Sequence, residues 1–244
     1  PIKSSAASDV YKRQILIILG VTALITNVAI QKTTFKYEIP YMLLITAVLL
    51  VMGMTGNEIT FIEGVILWIL FIAYLLYLYF LAKKGNDSGD EQSVKLYPVW
   101  KCLLFIVLGG VCVVIGSQLV VNGATTIARA CGMSERFIGL TIVAFGTSLP
   151  ELVTSVSAAR KGNAGIAIGN IVGSNIFNIL FVIGTVALIC PVPFESRFVI
   201  DTVVAILCGV LLWGGTIRHK ELRKPCGVVM LLCYAAYFVY LAAM

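Results

Sequence analysis

The sequence predicts an all-α, polytopic membrane protein with inverted-topology repeats: about seven full transmembrane helices plus a partial first one. Three observations carry this expectation. Hydrophobic residues make up 59% of the chain and charged residues only 12%, where a soluble domain carries roughly 25% charge. Several apolar runs reach the ~20 residues that span a bilayer as a helix. Two segments recur along the chain in register.

The apolar runs predict helices over 15–26 (a partial span), 37–55, 60–82, 98–122, 137–160, 166–189, 199–217 and 222–243. The polar stretch 83–97, with Gly85, Asn86, Asp87, Ser88, Gly89 and Asp90, reads as a hydrophilic linker. Residues 1–14 lack the apolar core of a signal peptide and abut a hydrophobic run, so they are set aside as non-native or disordered. The expected organisation is 15–82 as the remainder of a first repeat, 83–97 as linker, and 98–244 as a second repeat of five helices.

The net charge of +6 could suggest nucleic acid, but the charges lie in short loops between spans. Loops on one side hold Lys32 and Lys36, then Lys83, Lys84, Lys95 and Lys101, then Arg160 and Lys161, then Arg218, Lys220, Arg223 and Lys224. The other side holds Arg129, Arg136 and Arg197. The richer side is expected to be cytoplasmic, which puts 83–97 inside and argues for a multi-pass protein of the cytoplasmic (inner) membrane with no nucleic-acid partner.

The repeat is read directly from the residues. ILIILGVTALI at 15–25 matches ILFVIGTVALI at 179–189 with six identities in eleven, at an offset of 164. GVILWILFIAYLLYL at 64–78 matches GVVMLLCYAAYFVYL at 227–241 with six in fifteen, at an offset of 163. Five crossings separate the first pair, an odd number, so equivalent helices run in opposite directions, as in many secondary transporters. The same repeat predicts a counterpart of 136–178 ahead of Ile15. The chain is therefore expected to be N-terminally truncated, with a missing repeat needed to complete the site.

Chemistry concentrates in 136–178. Glu151 falls within the predicted span 137–160, where a carboxylate costs ~2.5–3.5 kcal/mol on insertion scales and needs a purpose. Pro150 removes a backbone hydrogen bond, so a break is expected between Gly146 and Pro150, with carbonyls exposed at membrane depth. Thr147, Ser148, Glu151 and Ser155 would then share a face. In the next helix Gly165, Gly169 and Gly173 recur every four residues and permit close packing. Asn170, Ser174 and Asn178 form a polar stripe with Asn175 beside it. Hydroxyl and amide oxygens on close-packed helices suit a hard cation, since Ca²⁺ takes ~6–8 oxygen ligands.

GLTIVAFGTSLPEL followed by GNIVGSNIFN resembles the second α-repeat of the calcium/cation antiporter superfamily. The branch it resembles most is the bacterial inner-membrane sodium/calcium exchanger group, which is itself similar to potassium-dependent exchangers. The resemblance runs from about Ile15 to Met244. It implies a calcium-binding role for Glu151, and oxygen ligands of sodium sites from Thr147, Ser148, Ser174 and the Ala144 carbonyl. Asn178 stands where many members carry an aspartate, which leaves the site one charge poorer; Asn175 precedes it in the motif. The span 98–122, with GSQLVVNGATTIA, resembles the long tilted helix that slides during alternating access.

The expected function is secondary active exchange of calcium for sodium or protons, with no resident cofactor. Antiport of other cations, such as sodium/proton or magnesium, is the alternative. An intramembrane protease would need a base, yet His219, the only histidine, sits in a basic loop, and Asp201, near a helix end, is the only other acid read as an intramembrane candidate. A channel fits the repeat and the broken helix poorly. No C-x-x-C pair occurs among the seven cysteines, so they read as packing residues.

Overall fold

In the computed structural model, residues 10–86, 97–146 and 148–243 are described. Helix α1 covers 10–25, with a π-helical turn at Gln14–Leu19. It continues back through residues whose composition had marked them as foreign, and Lys12, Gln14 and Ile15 are buried. Next come β1 (Val28–Ala29), α2 (Thr34–Gly56), β2 (Glu58–Ile59) and α3 (Phe61–Asn86). Most of the expected linker, 87–96, lies outside the described residues. Helix α4 is Val99–Ala130, α5 covers 135–146 and α6 is Leu149–Arg160. The chain closes with α7 (164–189), β3 (Val192–Pro193), α8 (Ser196–Ile217), β4 (Glu221–Leu222) and α9 (Lys224–Ala243).

Five helices among the described residues are long and apolar enough to cross a membrane: Thr34–Gly56, Phe61–Lys84, Val99–Ala130, Gly165–Ile189 and Phe198–Ile217. This corrects the expected seven full spans. The run 137–160 gives one helix that ends at Gly146 and another that begins at Leu149, each too short to span. The apolar part of α9, Lys224–Val239, also falls short. Helix α4 outruns its expected end at 122 by a further two turns, because Thr125, Thr126 and Arg129 continue the helix despite their polarity.

The chain forms two compact units, 1–71 with 151–244, and 72–150. In the second unit α4 is exposed along almost its whole length, with only Ala128 buried. Its long apolar stretch, exposed in this way, suits lipid as solvent. The turn after α4 uses Gly132 at φ +79°, and Arg129 Nε donates to Glu135 Oε1 at 2.6 Å. That bond holds the Glu135 carboxyl below the usual carboxylate range.

The first unit holds the buried core and displays the repeat in its contacts. The π-turn Gln14–Leu19 recurs at Asn178–Ile183, and Gly20–Ile25 recurs at Gly184–Ile189. Strand β1 pairs antiparallel with β4, and β2 with β3. Each strand thus pairs across the repeat. Asn57 and Lys220 both adopt a left-handed conformation, at φ 55° and 51°. The Asn57 carbonyl accepts from Phe194 N at 2.7 Å, and the Lys220 carbonyl accepts from Ile30 N at 2.9 Å. A Cβ on Gly227 would lie 2.9 Å from the Gly20 carbonyl oxygen, and one on Gly64 would lie 3.0 Å from that of Gly184. Reciprocal contacts of this kind relate the two segments by a pseudo-two-fold axis. Helices α2 and α8, equivalent to each other, pack together.

Candidate functional site

Helix α5 ends at Gly146 and α6 begins at Leu149. Ser148 N donates to the Phe145 carbonyl at 3.0 Å, closing the turn between them. Pro150 occupies the first turn of α6, where its missing N–H leaves no helical bond unmade. A Cβ on Gly146 would lie 2.1 Å from Val121 Cγ2, so glycine there lets α5 lie directly against α4. The break puts Glu151 in the first turn of α6, where the helix dipole favours a negative charge.

Within the first unit, Glu151 faces α1 and α7. Gln14 Nε2 donates to Glu151 Oε1 at 3.2 Å and to Ser174 Oγ at 3.1 Å. One amide therefore brings together the carboxylate and a hydroxyl of the polar stripe. The second carboxylate oxygen, Glu151 Oε2, is buried with no hydrogen-bond partner among the described residues. The same holds for Ser155 Oγ, one turn further along α6, and for Asn175 Oδ1 and Gln14 Oε1. Asn175 is 1% exposed, and its Nδ2 donates to the Ile171 carbonyl at 2.9 Å. That bond orients the amide and leaves its oxygen unpaired. Buried oxygens without donors are costly unless something electropositive meets them.

The remaining candidates fall elsewhere. Asn178 begins the π-turn of α7 and is half-buried. Asn170 Nδ2 donates to Thr154 Oγ1 at 3.2 Å, and Thr154 Oγ1 donates to the Glu151 carbonyl at 3.0 Å. Asn170 thus ties α7 to α6, a use that helical spacing alone does not indicate. Ser148 belongs to the second unit and is buried, with its Oγ unpaired among the described residues. Ala144 sits in the last turn of α5, and Thr147 lies outside the described residues. Gln14 escapes sequence reasoning because residues 1–14 look foreign by composition. The repeat offset of 164 makes it the counterpart of Asn178, a signal that could have found it.

Asp201, in the membrane-length helix α8, is already paired. Lys12 Nζ donates to Asp201 Oδ1 at 2.7 Å, and Tyr237 O–H donates to the same oxygen at 2.8 Å. Lys12 also contacts the Tyr237 hydroxyl and lies 4.2 Å from the ring centre. His219 is exposed. No group of three or more His, Cys, Asp or Glu residues gathers among the described residues. A cation here would meet one carboxylate with hydroxyl and amide oxygens, a hard-ligand set.

Residues 13–80 and 101–243 match the family model described as "Sodium/calcium exchanger protein". The chain is 35% identical to the "Putative antiporter CaxA" of Alkalimonas amylolytica over 233 residues, covering 91% of this chain and 73% of that protein. It is 31% identical to the "Inner membrane protein YrbG" of Escherichia coli strain K12, covering 88% and 69%. Its fold superposes on solved structures of the sodium-calcium exchanger NCX_Mj. One of these, soaked with zero Na⁺ and Ca²⁺, gives a TM-score of 0.78 at 30% identity, covering 100% of this chain and 76% of that one. Together with the broken helix and the repeat contacts, these matches place the chain in the sodium/calcium exchanger family, as a multi-pass membrane transporter and not an enzyme.

Proposed function

We propose that the chain exchanges calcium for sodium or protons across the cytoplasmic membrane by alternating access, with Glu151 as its calcium-binding carboxylate. The observation that carries this reading is the buried, unpaired oxygen set around the helix break: Glu151 Oε2, Ser155 Oγ and Asn175 Oδ1, beside Ser174. A divalent ion would satisfy oxygens that no donor among the described residues reaches. The resemblance adds Thr147, Ser148, Asn178 and the Ala144 carbonyl as further proposed ligands. Monovalent ions competing for the same oxygens would couple the two fluxes. Neutralising the carboxylate with either cargo lowers the barrier to moving the site across the membrane. The lysine and arginine bias puts 83–97 in the cytoplasm, and the name of the Escherichia coli relative supports an inner-membrane location.

The test is calcium-45 uptake into proteoliposomes made with the protein of the full reading frame, driven by an outward sodium gradient or by a pH gradient. The expected result is saturable uptake under at least one gradient, and loss to background in Glu151→Gln, which keeps the side chain's size. Asn178→Asp adds a carboxylate and should change the dependence on pH or potassium. Normal calcium transport in a folded Glu151→Gln protein would sink the assignment. Sodium-driven proton or magnesium movement with no calcium uptake would favour the other antiport reading.

A further inference from the structure

The two strand pairs gather loops of opposite charge. The β1–β4 pair joins the loop before α2 to the loop before α9, through Val28↔Leu222, Ala29↔Glu221 and the bond from Ile30 N to the Lys220 carbonyl. Lys32 stands just before α2 and Lys36 in its first turn; Arg218, Lys220 and Arg223 lie between α8 and α9, and Lys224 opens α9. The turn between α6 and α7 reaches the same place. A Cβ on Gly165 would lie 3.3 Å from Gln31 Cγ and 3.6 Å from the Ala29 carbonyl oxygen. That turn brings Arg160 and Lys161. Between the turn and β1 runs an open groove of about 290 Å³, whose lining includes Ile30, Gln31, Asn163 and Gly165.

All eight of these cationic residues are exposed. The nearby acids offset them little: Glu221 lies 3.6 Å from Arg223, and Glu38 is buried a turn inside α2. The opposite pair, β2–β3, is flanked in the sequence by Glu58, Glu63, Glu195 and a single cation, Arg197. The same backbone device therefore has one strongly basic copy and one acidic copy.

We infer that the β1–β4 end of the first unit is a binding surface for anionic phospholipid headgroups, held by Lys32, Lys36, Arg160, Lys161, Lys220 and Lys224. Its place in the fold selects this partner. Three membrane-length helices, α2, α7 and α8, start or stop at this end, so the cations stand at the level where their own bilayer presents phosphates. Each Lys or Arg held there adds attraction to anionic lipid, and added salt screens it. The headgroups bridge three loops that the two-residue strands and the groove bring together. They brace the far end of α6, whose first turn carries Glu151. This surface holds lipid whichever ions are exchanged.

The experiment measures the melting temperature of the detergent-solubilised full chain with added phosphatidylglycerol or phosphatidylcholine, and counts retained lipids by native mass spectrometry. Phosphatidylglycerol should be retained preferentially and should raise the melting temperature, with both effects weakened in 0.5 M salt. The triple variant Lys161→Gln/Lys220→Gln/Lys224→Gln should lose retention by roughly tenfold or more, while melting normally without lipid. The matching lysine-to-arginine variant should keep it, as should Glu58→Gln/Glu195→Gln at the opposite end. Equal retention of the two lipids would overturn the inference, as would a triple variant with unchanged preference. Full competition by millimolar inorganic phosphate would also overturn it, because the surface would then be a site for soluble anions.

Discussion

The β1–β4 and β2–β3 ends of the first unit share a backbone and differ in the charges around it. Both use an antiparallel pair of two-residue strands, a left-handed residue before one strand, and a carbonyl from that residue that accepts a cross-repeat N–H. One end is ringed by lysine and arginine, the other by glutamate. Duplication therefore preserved the contacts that close the fold, while the two membrane faces were free to diverge in charge. Geometry here is a property of the repeat, and chemistry a property of the side it faces.

The largest expected effect tests the shared geometry. The crossings Gly20–Gly227 and Gly64–Gly184 let paired helices touch backbone to backbone. A Cβ at Gly227 would also meet Ala23 Cβ at 2.9 Å, and one at Gly64 would meet Ala187 Cβ at 3.0 Å. Neither obstacle is the end of a flexible side chain, so the helices themselves must separate. Gly227→Leu and Gly64→Leu are each expected to destabilise the protein by about 3 kcal/mol, read as lost melting temperature in detergent. Comparable losses would support equivalence of the crossings. A large loss at one and none at the other would break it.

A smaller effect probes a place where the copies have diverged. Phe194 lies over Gly53, and a Cβ there would fall 2.1 Å from the ring's Cδ2. At the equivalent positions the chain carries Ile30 and Thr216, offset by 164 and 163. The larger ring is matched with the residue that lacks a side chain. Gly53→Thr should cost about 2 kcal/mol, and Phe194→Ile should recover most of it. Additive losses in the double-mutant cycle would show that the two positions are not a matched pair.

Much of this architecture is legible in the residues themselves. The helix break comes from Pro150 near Gly146, and the repeat from two matched segments whose offsets differ by one. That single gap falls between β1 and β2, where α2 and α8 differ in length. The strand pairs are not legible, since two residues carry no periodicity. Nor are the π-turns, which add a residue to a turn and rotate the remainder of the helix. The stripe of Asn170, Ser174 and Asn178 assumes regular helical spacing. In the structure Asn175 is the deeply buried amide, Asn178 opens a π-turn, and Asn170 is occupied with Thr154. Gln14 is hidden for another reason: composition marks its segment as foreign, and only its place in the repeat speaks for it.

The smallest expected effect distinguishes the two left-handed residues. Such a conformation costs most L-residues roughly 1–2 kcal/mol, but asparagine tolerates it through local hydrogen bonding. Asn57 therefore suits its φ of 55°, whereas Lys220 at 51° does not. Glycine removes the strain at either site and adds unfolded-state entropy of about 0.5–1 kcal/mol against it. Lys220→Gly should then stabilise the protein by up to about 1 kcal/mol, and Asn57→Gly should leave it near neutral. The measurement belongs in uncharged detergent without added lipid, so that loss of the Lys220 charge at the basic end does not enter. If Asn57→Gly gains as much as Lys220→Gly, the lysine is no more strained than the asparagine. The two ends would then be matched in backbone energy as well as in backbone shape.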